Sequence, residues 1–136
     1  MSVINYDGRS DDTPCKDYLA RMAMLDASTN NTIKHNVGTK TLIANITQWH
    51  HDRNLIEGST DKDQYCKLIQ EAGELSDSIC KGKDVADDIG DMMVVLINIA
   101  ERNNLSIVEC LEKAWDDIKD RKGKMVDGVF VKEADL

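Results

Sequence analysis

Between Asp61 and Lys81 the apolar positions Tyr65, Leu68, Ile69, Ala72, Leu75 and Ile79 recur at spacings of three and four, the period of an amphipathic helix, and Gly82 stands where such a helix stops. The next segment, from about Lys83 to Asn103, differs in kind. It is apolar nearly all round between Met92 and Ile97, which predicts burial on several sides at the centre of a bundle. Ser106-Ile-Val-Glu109 is a capping box that opens another helix through Leu111, Ala114, Trp115 and Ile118, with Gly123 as its stop. Upstream, a helix is expected from about Thr41 to Asn54, broken by Glu57-Gly58-Ser59-Thr60. Thr13-Pro14 reads as a cap followed by proline at the first helical position, opening a short helix through Tyr18, Leu19, Met22 and Leu25. The polar stretch Ser28-Thr29-Asn30-Asn31 ends it and begins a linker. The tail carries a turn at Asp127-Gly128.

A single proline, Pro14, and an aromatic content of 4% argue against a sandwich or barrel. The expected fold class is all-α, a helical bundle of about four to five helices per chain completed by oligomerisation. Residues 1–40 form an N-terminal helix and linker, 41–123 the helical domain and 124–136 a tail. One chain of 136 residues covers only part of the Met92–Ile97 surface, so a homodimer or a dimer of dimers is expected.

Seventeen basic against twenty-five acidic residues leave a net charge of −8, which disfavours polymeric nucleic acid, because affinity for that polyanion comes from lysine and arginine. A small phosphorylated ligand stays open, since carboxylate-held divalent cations reverse the local sign. No apolar run approaches the ~20 residues of a membrane span and the chain opens on no basic-then-apolar leader, so no membrane partner and a cytoplasmic location are expected. Cys15, Cys66, Cys80 and Cys110 form no C-x-x-C pair and read as reduced thiols, with Cys66 and Cys80 as small core residues on one azimuth of the Asp61–Lys81 helix.

The chemistry lies in two acidic pairs. Glu71-Ala-Gly-Glu74 and Asp88-Ile-Gly-Asp91 each put two carboxylates three residues apart, on one side of a helix. Gly82 lies eight to eleven residues after the first pair and six to nine before the second, so an antiparallel hairpin brings both to similar heights. Such a cluster needs a cation, and hard oxygen donors suit Mg²⁺ or Mn²⁺. Asp87 points about 100° from Asp88 and is expected to face water. Solvated surface acids are the competing reading of each pair taken alone.

These residues resemble the MazG-like members of the all-α nucleoside triphosphate pyrophosphatases, whose signature is E-E-x-x-E followed by E-x-x-D. The matching segments are QEAGEL (residues 70–75) and DDIGDMM (87–93), with Trp49, the HDRNL segment 51–55 and Lys67-Leu68 beside them, so the resemblance covers about residues 42–123. Gln70 and Asp88 depart from the signature. Asp88 keeps the carboxylate with a shorter reach, whereas Gln70 loses the charge. The resemblance implies that Glu71, Glu74, Asp88 and Asp91 are catalytic metal ligands for Mg²⁺ bridging to a triphosphate. It implies hydrolysis of (deoxy)nucleoside triphosphates to the monophosphate and pyrophosphate. Of the glutamates, Glu74 is the candidate to take a proton from the attacking water.

For the rest of a nucleotide, Asn98 shares an arc of about 80° with positions 88, 91 and 95 and lies ~10 Å beyond Asp91, where an amide would read a base edge or pack in the core. Trp49 either stacks on a base, which favours a purine such as GTP or dGTP, or belongs to the core. Arg53 beside it either contacts the ligand or faces solvent. Lys119, Arg121 and Lys124 close an acidic chain with positive charge, serving either the helix dipole or, as the resemblance suggests, the phosphates. Lys67, four residues before Glu71, is either its ion-pair partner or a phosphate contact, and the spacing favours the pair. The rival functional class is a non-catalytic acidic dimerisation module. Similar bundles also hydrolyse dUTP, dCTP or phosphoribosyl-ATP.

Overall fold

The computed structural model describes residues 38–136. The expected helix at Pro14 and the thiol of Cys15 lie outside the described residues. Four helices follow one another: α1 (Thr39–Asp52), α2 (Asp61–Cys80), α3 (Ala86–Arg102) and α4 (Ile107–Ile118). The chain ends in a hairpin of β1 (Gly123–Val126) and β2 (Val129–Lys132) and a 3₁₀ turn at Glu133–Asp135. The architecture is therefore mainly helical, with a small sheet that the all-α expectation did not contain. No described helix is long and apolar enough to cross a membrane.

Residues 38–120 form one compact unit and residues 121–136 belong to another. In the helical unit α3 packs against α1, α2 and α4. It supplies Val95, Ile97 and Ala100 to the core, joined by Ile107 of α4. This agrees with the all-round apolar character of Met92–Ile97, although Met93 remains exposed at 37%. The five residues Lys81–Val85 link α2 to α3, a connection short enough to make the helices antiparallel neighbours. Gly82, at φ 64°, takes the left-handed conformation that ends α2. The following helix does not begin at once: Lys83–Val85 stay outside it, and Asp84 Oδ1 accepts from the Ala86 amide at 2.9 Å.

Both capping boxes in the unit are complete. Thr60 Oγ1 accepts from the Asp63 amide at 3.1 Å while Asp63 accepts from the Thr60 amide at 3.0 Å. Ser106 and Glu109 do the same for α4 at 3.1 and 2.8 Å. The far end of α3 is tied to the other helices by polar contacts. His51 pairs with Glu101 at 3.0 Å, and Arg102 Nε donates to Asp61 at 2.9 Å.

Three expectations are corrected. The apolar stripe of α2 divides, with Leu68, Ala72 and Leu75 half-buried but Tyr65, Ile69 and Ile79 exposed, because α2 meets the unit along one narrow line. Cys66 and Cys80 are exposed free thiols rather than core residues, lying outside the side of α2 that packs against the other described helices. Gly123 does not stop the last helix, which ends at Ile118. It begins β1 at a place where a β-carbon would collide with the Val131 carbonyl and the Phe130 ring. Asp127 (φ 50°) and Gly128 (φ 82°) form the two-residue turn, and both positive angles match the twist that a tight hairpin requires.

Candidate metal centre

The cap at Thr60 sets the start of α2 and hence the azimuth at which Glu71 and Glu74 emerge, while α3 presents Asp91 from across the hairpin. Carboxylate oxygens of Glu71, Glu74 and Asp91 lie within 4.8 Å of one another. Two oxygens bound at ~2.1 Å to one ion are at most ~4.2 Å apart, so these three need only a small side-chain movement to share one. Asp88 is half-buried and stands outside this group of three, and Asp87 is exposed.

Glu71 is the unusual member. It is 6% exposed; Lys67 Nζ donates to its Oε1 at 2.7 Å, and its Oε2 is buried with no hydrogen-bond partner. A buried ionised oxygen without a partner is costly, and it marks a coordination position that a cation would satisfy. The charge pattern agrees. The negative charge of Glu71 beside it raises the pKa of Glu74, and Asp88 adds to it. Burial raises that of Asp91, followed by the charges of Asp87, Glu71 and Asp88. Lys67 opposes both shifts, and its own pKa is raised by the bond to Glu71. The donor set consists entirely of hard carboxylate oxygens, which fits Mg²⁺ or Mn²⁺.

The residues expected around a nucleotide are distributed differently. Asn98 is fully buried: its Nδ2 donates to the Leu55 carbonyl at 3.0 Å and to His50 Nδ1 at 3.1 Å. Its place on the base-reading face is thus corrected to a core position, where the amide joins α3 to the chain after α1. His50, 2% exposed, completes the link by donating from Nε2 to the Val94 carbonyl at 2.9 Å. This imidazole was not separated from its neighbours His51 and Arg53 by sequence; its only signal is its position on the inward side of a helix whose remaining apolar residues are few. Trp49 is 43% exposed and carries the Arg53 guanidinium 4.3 Å above its ring. Arg53 also donates to the Trp49 carbonyl at 3.3 Å, so it braces the indole. Lys119 pairs with Asp116 at 2.9 Å, while Arg121 and Lys124 are exposed and belong to the terminal unit.

Among curated proteins the chain is similar to an uncharacterised 18.2 kDa protein from the rep–hol intergenic region of Haemophilus phage HP1 (strain HP1c1), at 46% identity over 74 residues. The match takes in 53% of this chain and 44% of the phage protein, so the chain spans less than half of that relative's length. No family model matches the sequence, and no solved structure matches the chain.

Proposed function

We propose that this protein is a Mg²⁺-dependent pyrophosphohydrolase that converts a (deoxy)nucleoside triphosphate to the monophosphate and pyrophosphate. The observation that carries this reading is the convergence of carboxylate oxygens of Glu71, Glu74 and Asp91 within 4.8 Å of one another, in a group whose buried member, Glu71, has one oxygen without a hydrogen-bond partner. Glu71, Glu74 and Asp91 would hold the ion, with Asp88 near enough to act electrostatically on two of them. When bound, Mg²⁺ or Mn²⁺ supplies charge neutralisation for the phosphates and makes a coordinated water more acidic. Glu74 is the exposed carboxylate of the set, the one solvent water reaches, and would accept a proton from the attacking water. The water oxygen would bond to the α-phosphorus as the α–β anhydride bond breaks, and the electron pair leaves with pyrophosphate. Asp91, half-buried, would supply the ligand that α3 brings to the two from α2.

A homodimer is part of the proposal. Leu111, Trp115 and Ile118 of α4 and Tyr65, Ile69 and Ile79 of α2 are 49–61% exposed in the single chain, a load of large apolar residues that a second copy would cover.

The test is a screen of all common NTPs and dNTPs with Mg²⁺, identifying products. Release of pyrophosphate with a monophosphate is expected for at least one nucleotide. Glu71→Gln and Asp91→Asn should each lower kcat by more than the ~10–100-fold typical of residues that only support a ligand. Near-normal turnover in either variant would refute the metal assignment, and no turnover of any nucleotide would favour the dimerisation module.

A further inference from the structure

Glu71 is held by a cation that already belongs to the chain. We propose that Lys67 is a built-in stand-in for the metal: its ammonium group neutralises Glu71 in the metal-free protein, leaves Glu71 when a divalent cation enters, and then faces the bound phosphates. The inference rests on the metal-site reading and adds an exchange step to it.

The two partners differ in freedom. The Glu71 side chain is 8% exposed and enclosed, whereas that of Lys67 is 48% exposed on a flexible stem. The lysine can therefore swing out without any change in α2, and the carboxylate cannot. Lys67 Nζ occupies one oxygen of Glu71 at 2.7 Å while the other oxygen is empty, so Glu71 is half prepared for an ion and half blocked. A divalent ion among three carboxylates outcompetes a single ammonium charge for Glu71 and repels that ammonium at close range. The charges of the three carboxylates, one divalent ion and Lys67 then sum to zero, and the released ammonium is the nearest cation on α2 to anything bound at the centre.

The experiment is calorimetric titration of the full chain with Mn²⁺ alone, for wild type, Lys67→Gln, Lys67→Arg and Glu71→Gln, with folding checked by circular dichroism. Removal of the competitor should tighten Mn²⁺ binding in Lys67→Gln by about two- to fivefold, the factor that a half-exposed ion pair commands. Lys67→Arg should restore the wild-type value. A second titration adds inorganic pyrophosphate to the Mn²⁺-loaded proteins, and Lys67→Gln should then bind it more weakly than wild type. Unchanged or weaker Mn²⁺ binding in Lys67→Gln would overturn the exchange. The metal site would still stand if wild type bound Mn²⁺ and Glu71→Gln did not. Failure of wild type to bind Mn²⁺ would overturn both.

Discussion

Glu71 shows how one side chain can be destabilising for the fold and useful for a ligand. Its carboxylate is enclosed, and its charge falls on Glu74, whose pKa rises from the ordinary 4.5. A carboxyl group with a raised folded-state pKa binds more protons folded than unfolded, so its effect on stability worsens as pH rises through that range. Glu74→Gln should therefore raise the melting temperature of the metal-free protein at neutral pH, and the gap to wild type should narrow as the pH falls toward about 4.5 and be closed below it. Thermal melts in chelator across that range are the check; parallel curves would mean that the carboxylates do not repel. The acidic pairs were legible from spacing alone, because residues three apart on a helix must share a side. The roles of Asn98 and His50 were not. An amide on an apolar helix face has the same spacing whether it meets a ligand or a buried imidazole, and only the position of α1 decides.

Among the elements, α4 depends most visibly on its first turn. Its N-terminus is closed by the reciprocal Ser106–Glu109 bonds, and only Ile107 of its length is buried, so packing against the other described residues adds little. Ser106→Ala should cost about 1 kcal/mol, within the ~0.5–2 kcal/mol range for lost N-caps, measured by denaturant unfolding of the full chain. An unchanged midpoint would show that contacts of Leu111, Trp115 and Ile118 outweigh the cap. The Ser106 box was readable because serine and glutamate stand at the required separation just before an apolar run. The box at Thr60 was hidden by its aspartate, a shorter side chain than the usual glutamate, which still reaches the Thr60 amide. The terminal hairpin was half visible: Asp127-Gly128 announced a turn, but Met125, Val126, Val129 and Phe130 form too short an alternating pattern to declare strands.

At the scale of the molecule, only Val95, Ile97, Ala100 and Ile107 are buried apolar residues among those described, while Trp115, Ile79 and Tyr65 are 58–61% exposed. A core this small supports little stability on its own. Light scattering at micromolar concentration should give about twice the 15.2 kDa chain mass, and Trp115→Asp should shift it toward the monomer. A monodisperse 15.2 kDa species in wild type would overturn the dimer. By itself the sequence determined the four described helices in their order, the antiparallel hairpin of α2 and α3 and the two acidic pairs on facing helices, because each follows from helical periodicity and a short connection. The tertiary structure decided which of those carboxylates meet, that Glu71 is enclosed with Lys67 against it, that Asn98 and His50 join α3 to α1, and that Cys66 and Cys80 face outward. Those outcomes depend on which side of each helix lies against a neighbour, a rotation that periodicity restricts to an arc and only packing resolves to a residue.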